Sequence, residues 1–416
     1  MNDLLPAELV RWHRLEAAMR DRFDRYGYGE LRTPLLEETR LFARSIGDET
    51  DIVGKEMYTF PDRKGKKQLS LRPEGTASAV RAYIQHSVHG AEPVTRWWYF
   101  GPMYRHERVQ AGRYRQFYQV GAEALGSADP SLEAEVISLF DGFLRQDLGL
   151  GEVELQVNNL GDSEDRKAYA AALVAHLDGH LEVLCEDCRR RKVENPLRTL
   201  DCKVPGCQPV MEAAPRLEDH LGEAARVHFA EVLSLLDALG IAWVRNHRLV
   251  RGLDYYNRTC FEFVAGGLGA QNTVCAGGRY DGLVAQLGGP KTPAVGFAAG
   301  IERLVSLMSD AAPEDAPELV AVVPVGTEVF PACLRLVEEL RREGLRVDFD
   351  PRRGSLKSQM RRADKLGARV ALVIGEDELA AGRVPAKDLR LEGAEPEELA
   401  LADLHASLRR WFKERR

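Results

Sequence analysis

The sequence lacks long apolar runs, and its first residues do not resemble a targeting segment. No stretch of the 416 residues approaches the roughly 20 consecutive apolar residues that a membrane-spanning helix needs. Residues 1–6 have neither the basic region nor the apolar region of a secretory signal peptide. We therefore expect a cytoplasmic protein with no part in a membrane.

An excess of positive charge is also missing. The chain has 57 Lys and Arg residues against 64 Asp and Glu residues, and its formal net charge is −7 at pH 7. An acidic chain does not bind nucleic acids indiscriminately, so any contact with RNA has to come from local basic patches. The Gly-Lys-Ser/Thr signature of a P-loop is absent as well, which argues against that nucleotide-binding fold.

Length and hydrophobic content indicate more than one domain. A chain of 416 residues is too long for one core, and 44% hydrophobic residues suffice for two or three domains. Residues 309–317 are acidic and contain proline, and they are predicted to be a linker. Beyond them the pattern alternates between strands at 319–325, 345–349 and 369–374 and helices at 330–342 and 356–366. This alternation predicts a small, mostly parallel α/β sheet.

A predicted β-hairpin is the most informative feature. Residues 97–100 are aromatic and strand-forming, residues 110–112 indicate a loop, and a second strand is predicted to begin near Arg113. Because side chains alternate along a strand, one face carries Arg115, Phe117, Gln119, Gly121 and Glu123. Such a face is suited to a ligand that stacks on Phe117 and approaches the backbone closely over Gly121. The alternative is an exposed amphipathic hairpin with a solvated basic edge.

The hairpin resembles a known family signature. The hairpin resembles motif 2 of class II aminoacyl-tRNA synthetases, in the form found in histidyl-tRNA synthetases. The residues that carry the resemblance are Arg105, Glu107, Arg113, Phe117, Gln119 and Glu123. This resemblance favours the ligand-binding hairpin over the exposed one.

Five further segments resemble the same family. They are residues 28–36 (motif 1), 72–76 (amino-acid loop), 251–259 (histidine-specific segment), 276–283 (glycine-rich segment) and 294–304 (motif 3). The 72–76 and 276–283 segments also fit simple turns, whereas a chance match to 251–259 is improbable. Family members usually have a short strand before the segment that begins here at Asp3. We expect either that this strand is absent or that the start site is misassigned.

The resemblance covers nearly the whole chain and implies its architecture. It implies an α/β protein whose α+β catalytic core, residues 1–317, has an antiparallel sheet flanked by helices. A helical insertion at roughly residues 163–231, similar to the one that contacts the tRNA acceptor arm in the family, interrupts this core. Residues 318–416 would form a small C-terminal α/β anticodon-binding domain. Motif 1 implies a homodimer.

A basic stretch lies in the C-terminal domain. Its seven basic residues are Arg352, Arg353, Lys357, Arg361, Arg362, Lys365 and Arg369. Taken alone, this stretch indicates a solvated helix face. Together with the resemblance to the synthetase family, it implies that these basic side chains contact RNA phosphates and so position an RNA stem.

The resemblance also implies a reaction. L-histidine would react with ATP to give histidyl-adenylate and pyrophosphate, and the histidyl group would then pass to the 3′ end of tRNA(His). The first step needs no proton acceptor but needs fixed cations where negative charge builds on the phosphoryl oxygens, with Mg²⁺ bridging the phosphates.

Roles for individual side chains follow from the same resemblance. Arg105 and Arg251 would be the catalytic residues, beside the carboxylate and the α-phosphate. The histidine substrate would contact both arginines. Its α-amino end would contact Glu74, Thr76 and Gln119, and its imidazole would contact Glu123, Tyr255 and Tyr256. ATP would contact Arg105, Glu107, Arg113, Phe117 and Arg303.

Four of the seven cysteines are clustered in the insertion, at Cys185, Cys188, Cys202 and Cys207. In a cytosolic chain, paired thiols at short spacing favour tetrahedral Zn²⁺ over disulfides. Such a structural zinc site would stabilise the insertion and lie far from ATP. The alternative is four ordinary helix and loop cysteines.

Two other functions remain open at this point. Proteins that resemble histidyl-tRNA synthetases also serve as the histidine-sensing regulatory subunit of ATP phosphoribosyltransferase, but a complete motif 2 and an intact 251–259 segment argue against this function. A different ATP-dependent ligase of the class II fold is the second alternative. Histidine-dependent ATP–pyrophosphate exchange followed by tRNA charging would separate all three functions.

Overall fold

The structure, a computed structural model, describes residues 2–47, 50, 52–108, 112–266, 272–309, 318–391, 393 and 395–415. The chain folds into two compact units, Met1–Asp310 and Ala311–Arg416. The predicted linker at 309–317, apart from Ser309, and the predicted loop at 110–112, apart from Gly112, lie outside the described residues. In the described part of the chain, no helix is long and apolar enough to cross a membrane.

Two sheets form the first unit. Its strands are β1 (Gly29–Glu30), β2 (Leu36–Glu38), β3 (Thr59–Pro61), β4 (Gln68–Leu71), β5 (Thr95–Tyr104), β6 (Gln116–Leu125), β7 (Val153–Asn159), β8 (Trp243–Arg245), β9 (Asn257–Ala265), β10 (Thr273–Arg279) and β11 (Ala294–Gly300). The large sheet has the order β1-β5-β6-β11-β10-β9-β7-β8, and the small one has the order β2-β4-β3. Neighbours in the large sheet are antiparallel except at its edges, where β1 is parallel to β5 and β8 is parallel to β7.

Helices flank the large sheet, as predicted. They are α1 (Pro6–Arg25), α2 (Thr39–Ile46), α3 (Thr76–Gln85), α4 (Pro130–Gly142), α5 (Ser163–Asp178), α6 (Glu186–Glu194), α7 (Gln208–Glu212), α8 (Glu223–Ala238), α9 (Leu283–Gln286) and α10 (Ile301–Leu307). The main core lies between one face of the sheet and α1, α4 and α8, where Met19, Phe140 and Val232 pack with Phe297. Burial of these apolar side chains supplies most of the free energy that holds helices on the sheet.

The predicted hairpin is formed by β5 and β6. Its register runs from Thr95 opposite Leu125 to Tyr104 opposite Gln116. The second strand begins at Gln116 and not near Arg113, because the ladder ends where β5 ends, at Tyr104. Every second side chain of β6 belongs to the main core, and the remaining ones lie on the opposite face, as the alternation predicts.

Gly121 does not leave room for a ligand. Tyr99 lies directly opposite Gly121 in the hairpin, and a Cβ atom built on Gly121 would lie 2.2 Å from the Tyr99 Cζ atom. A Cβ atom on Gly75 would lie equally close to the Tyr99 ring, 2.2 Å from its Cε2 atom. The predicted close approach of a ligand over Gly121 is therefore wrong, because the two glycines accommodate a tyrosine ring of the protein itself.

The insertion is helical and has a core of its own. This core contains Leu173, Leu177, Leu184 and Met211, from α5, α7 and their connection. Helix α8 begins beside this core and ends in the main core, where its Val232 is fully buried. A continuous helix therefore joins the insertion to the sheet.

The second unit has a five-stranded sheet of its own. Its elements are β12 (Leu319–Pro324), α11 (Phe330–Arg342), β13 (Arg346–Phe349), α12 (Leu356–Lys365), β14 (Val370–Ile374), α13 (Glu376–Ala381), β15 (Arg383–Asp388), β16 (Glu397–Ala400) and α14 (Leu404–Glu414). The order is β13-β12-β14-β15-β16, in which β13, β12 and β14 are parallel and the last two strands are antiparallel additions. The two units confirm the predicted fold class.

Candidate active site

A cavity of about 380 Å³ opens on the face of the large sheet opposite the main core. Of the predicted histidine and ATP residues, those that line it are Glu74, Thr76, Arg105, Glu107, Arg113, Phe117, Gln119, Arg251, Tyr255, Tyr256 and Arg303. They come from segments that are far apart in the sequence, and the sheet brings them to one cavity. Glu123 is the exception, because it is fully buried beneath this lining.

The hairpin supplies a guanidinium that is fixed in position. The Nε atom of Arg105 donates to the carbonyl oxygen of Pro73 at 2.8 Å, and its Cζ atom lies 5.4 Å from the centre of the Phe117 ring. Glu107 lies between two arginines, with its Oε1 atom 3.8 Å from Nη1 of Arg105 and its Oε2 atom 3.2 Å from Nε of Arg113. The arginines are thus held at the cavity by a carboxylate that balances part of their charge.

Glu74 is held by the first turn of α3. Its Oε1 atom accepts from the backbone N–H of Ala77 at 2.9 Å, and its Oε2 atom accepts from the N–H of Thr76 at 2.5 Å. Burial raises the pKa of the Glu74 carboxyl, and these backbone donors oppose that rise. Arg72 ties the preceding turn to the hairpin, donating from Nε to the carbonyl oxygen of Pro102 at 3.0 Å.

The buried carboxyl of Glu123 is surrounded by hydroxyl donors. Its Oε1 atom accepts from Thr76 Oγ1 at 2.7 Å and from Tyr99 Oη at 3.1 Å, and its Oε2 atom accepts from Tyr280 Oη. Burial raises the pKa of Glu123 to about 8, against the opposing effect of these hydrogen bonds. The carboxyl of Glu123 therefore lies beneath the cavity lining, with each oxygen hydrogen-bonded to a hydroxyl group of the protein.

The loop of residues 251–256, hereafter the 251–256 loop, supplies a second fixed guanidinium. Arg251 pairs through Nη1 with Oε1 of Glu262 on β9, and its Cζ atom lies 5.3 Å from the centre of the Tyr256 ring. The other carboxylate oxygen of Glu262 accepts from Thr273 Oγ1 at 2.9 Å.

The far end of the cavity is formed by the start of α10. Arg303 donates from Nε to the carbonyl oxygen of Gly112 at 3.3 Å and from Nη1 to that of Thr273 at 2.5 Å. Its neighbour Glu302 accepts from the N–H of Tyr118 at 2.9 Å, and burial raises the pKa of Glu302 to about 7.

Three buried polar atoms of the cavity lining, Glu107 Oε2, Gln119 Oε1 and Arg251 Nε, make no hydrogen bond to a residue that the structure describes. The Oε1 atom of Gln119 is buried and accepts no hydrogen bond from any residue that the structure describes. A buried acceptor without a donor costs free energy, so a ligand that donates a hydrogen bond here would be stabilised.

Some residues of the site were not predicted from the sequence. Glu262 and Glu302 line the cavity, and Tyr280 holds Glu123 from the 276–283 segment. The only signal for Tyr280 was its position in that glycine-rich segment, and Glu262 carries no motif signal at all.

The four clustered cysteines also come together. Their Sγ atoms all lie within 4.8 Å of one another, and those of Cys185 and Cys202 are 3.9 Å apart. We call Cys185, Cys188, Cys202 and Cys207 the thiol cluster. Asp201 and Lys203, on either side of Cys202, line the active-site cavity, whereas none of the four cysteines does, and the expected separation of the cluster from ATP stays a prediction. The tertiary fold returns this part of the insertion to the catalytic sheet.

Comparison with known proteins agrees with this geometry. The family model described as histidyl-tRNA synthetase matches residues 1–304, and the one described as an anticodon binding domain matches residues 319–411. Histidine–tRNA ligases of Trichlorobacter lovleyi and Anaeromyxobacter dehalogenans are each 50% identical to the chain, over 98% of its length and over 96% and 97% of theirs.

Solved structures show the same likeness. The apo histidyl-tRNA synthetase of S. aureus is similar at a TM-score of 0.80 and 35% identity, covering 98% of this chain and 97% of that one. A protein from Bacillus halodurans, described as an ATP phosphoribosyltransferase regulatory subunit/histidyl-tRNA synthetase, shares only the fold, at a TM-score of 0.61 and 22% identity over 84% of this chain and 91% of that one. The regulatory-subunit alternative is therefore not favoured. The matches over nearly the full length mean that the chain belongs to the histidyl-tRNA synthetase family.

Proposed function

We propose that the protein joins L-histidine to tRNA(His), first forming histidyl-adenylate from ATP and then transferring the histidyl group to the 3′ end of the tRNA. The observation that carries this proposal is the convergence of Arg105, Arg113, Arg251 and Arg303 on one cavity above the buried Glu123. Fixed cations favour a polyanionic substrate, and a buried acceptor favours a polar side chain.

In the first step, the arginines stabilise negative charge. As the histidine carboxylate attacks the α-phosphate, Arg105 and Arg251 stabilise the charge that builds on the phosphoryl oxygens. Their guanidinium groups are already fixed by Pro73 and Glu262, so little reorganisation is needed in the transition state. Pyrophosphate leaves from the distal end, where Arg113 holds the phosphates.

Charge pairing in the cavity supports this order of events. Glu107 balances Arg113 before ATP binds, and phosphate oxygens would take over that guanidinium. Glu107 would then be able to accept from the adenine amino group, while Phe117 and Arg303 hold the ring.

Membership of the family implies ATP as a substrate together with Mg²⁺. The carboxylate of Glu262 in the cavity lining has oxygen atoms of the hard type that Mg²⁺ prefers. When bound, the ion would screen the negative charge of the phosphates.

Histidine selection would rest on the groups around Glu123. Its carboxylate would accept from the imidazole N–H, with Tyr255 and Tyr256 as the walls of the pocket. Glu74, Thr76 and the unpartnered oxygen of Gln119 would receive the α-ammonium group. An analogue without these donors would leave buried acceptors unpaired, which is a strong basis for rejection.

The proposal extends to domains, assembly and location. Residues 1–317 would be the catalytic domain, with an insertion at roughly 163–231, and residues 318–416 would bind the anticodon. A homodimer through motif 1 is supported by the exposed apolar side chains of Leu35 and Leu36, which are 41% and 45% accessible. The protein would act in the cytoplasm.

RNA binding by the second unit would depend on part of the predicted basic stretch. Arg352 and Arg362 pair with Asp350 and Asp348, each at 2.8 Å, so their charges are largely balanced. Lys357 and Arg361 are exposed on α12, and neither forms an ion pair with a described residue. These two are the better candidates for contacts with RNA phosphates.

A zinc ion in the thiol cluster is a separate part of the proposal. A regular tetrahedron with Zn–S bonds of about 2.3 Å has sulfur atoms about 3.8 Å apart. The separation of 3.9 Å between Cys185 and Cys202 is close to that value. Backbone N–H groups of Cys185 and Val204 donate to Cys207 Sγ and Cys202 Sγ at 3.3 and 3.5 Å, a pattern that suits thiolates.

The reaction itself is tested by ATP–pyrophosphate exchange with each amino acid in turn. We expect only L-histidine to stimulate exchange in the wild-type protein. Arg251→Ala should slow single-turnover adenylate formation by about 10²- to 10³-fold, because it removes a donor that acts in the transition state, while histidine and ATP binding change little. An Arg251→Ala rate within about threefold of wild type would refute the role of Arg251, and exchange stimulated by another amino acid would refute the function.

Histidine recognition should depend on pH through Glu123. Its pKa of about 8 means that the carboxyl is mostly protonated at neutral pH and ionises as the pH rises, which makes it a better acceptor. We therefore expect the KM of the wild-type protein for histidine, divided by the KM of Glu123→Gln, to fall between about pH 7 and about pH 9. The ratio is used because the titration of histidine itself affects both proteins equally and cancels. We also expect Glu123→Gln to lose about tenfold in kcat/KM for histidine with little change for ATP. A KM ratio that is flat with pH would contradict this role.

The exposed part of the basic stretch should matter for tRNA and not for adenylation. Lys357→Glu with Arg361→Glu should raise the KM for tRNA by about tenfold at low salt and less at high salt, because phosphate contacts are screened. Pyrophosphate exchange should be unchanged. Arg335→Glu with Arg342→Glu makes the same charge change on α11 and serves as the control. An equal loss in both double variants would show a general charge effect and contradict a specific contact.

Zinc in the thiol cluster is checked by elemental analysis of protein purified without chelators. We expect about one zinc per chain, lost in Cys185→Ser. Cys333→Ser is the matched control, because Cys333 is buried in the second unit and should not affect zinc content. Folded wild-type protein without zinc would remove the metal from the proposal and leave the ligase function untouched.

A further inference from the structure

The 251–256 loop separates two cavities. Its Arg251, Leu253 and Tyr256 line the active-site cavity on one side. The same three residues line a second cavity of about 360 Å³ on the other side, between the loop and the insertion. Tyr255 and Tyr256 are packed in an apolar cluster, against which Leu253 also packs, whereas the backbone of the loop is held on the insertion side by directed contacts.

Three side chains of the insertion make such contacts. Arg198 donates to the carbonyl oxygen of Gly252, Arg166 donates to that of Tyr256, and the Nδ2 atom of Asn195 donates to Asp254 Oδ1 at 3.0 Å. From the other side, the N–H of Asp254 donates to the carbonyl oxygen of Ile46 at 3.3 Å, at the end of α2. The loop is thus held between α2 and the insertion.

Asn195 and Arg198 belong to a short segment with two fixed ends. The segment consists of Asn195 and the 3-10 helical turn Pro196–Asp201 that follows it, and it ends at Cys202 of the thiol cluster. Arg248 holds the segment near its C-terminal end, donating from Nη2 to the carbonyl oxygen of Leu200 at 3.1 Å. A segment that is anchored in this way can transmit the position of the insertion to the loop.

We propose that Asn195 and Arg198 are positioning residues for histidine activation: through them the insertion holds the 251–256 loop in the geometry in which Arg251 and Tyr256 meet the substrate. The inference rests on the proposed function. Without the guanidinium of Arg198, the Gly252 carbonyl loses its donor and the loop can move toward the second cavity. Histidine contacts the loop, whereas ATP is held mainly by the hairpin and Arg303, so the two substrates respond differently.

The test is the steady-state kinetics of pyrophosphate exchange with full-length Arg198→Ala and Asn195→Ala. We expect the KM for histidine to rise by about tenfold in each variant, with the KM for ATP within about twofold of wild type. Arg198→Lys keeps one donor and should recover part of the loss. Equal melting temperatures across the variants will show that they are folded.

Arg189→Ala is the matched control. Arg189 also donates to backbone carbonyls, those of Leu181 and Glu182 at 3.1 and 3.4 Å, but these lie within the insertion and away from the loop. An unchanged histidine KM in Arg198→Ala and Asn195→Ala, or an equal rise in Arg189→Ala, would overturn the proposal. Wild-type protein without histidine-dependent exchange would overturn the proposed function instead.

Discussion

The burial of one carboxyl group is the constraint on which the site depends. Glu123 is fully buried, and its hydroxyl donors come from β5, from the start of α3 and from the segment after β10. A buried carboxyl without donors would be costly, so these three parts of the fold must meet at one point. Gly75 and Gly121 lack side chains because the ring of Tyr99 has to reach that point. The floor of the cavity is therefore fixed before any substrate binds.

Above this floor, the cavity contains pairs of opposite charges. Arg251 pairs with Glu262, and Glu107 lies between Arg105 and Arg113. Each carboxylate holds a guanidinium in place and offsets part of the repulsion between neighbouring cations. Phosphates that enter the cavity meet cations whose positions are already set, which is the arrangement that electrostatic catalysis needs.

The insertion is part of this arrangement and not an appendage. Helix α8 runs from its core into the main core, and the segment that ends at Cys202 contacts the 251–256 loop through Asn195 and Arg198. A metal in the thiol cluster would therefore stabilise more than the insertion. Because loops that form binding sites are often weakly held by packing, polar contacts from a separate core are an effective way to fix one.

The sequence by itself determined the elements of the second unit and the motif residues of the cavity lining, but not the rest of that lining. Alternating patterns predicted the strands and helices from β12 to β14, and the motifs predicted Arg105, Arg251 and Arg303 at one site, because periodicity and motif spacing are local properties of the chain. Only the tertiary structure decided what each group pairs with. It gave Glu123 the hydroxyl of Tyr280, 157 residues away, and it filled the space over Gly121 with Tyr99. Such pairings depend on how distant segments meet in the sheet, and no local pattern encodes them.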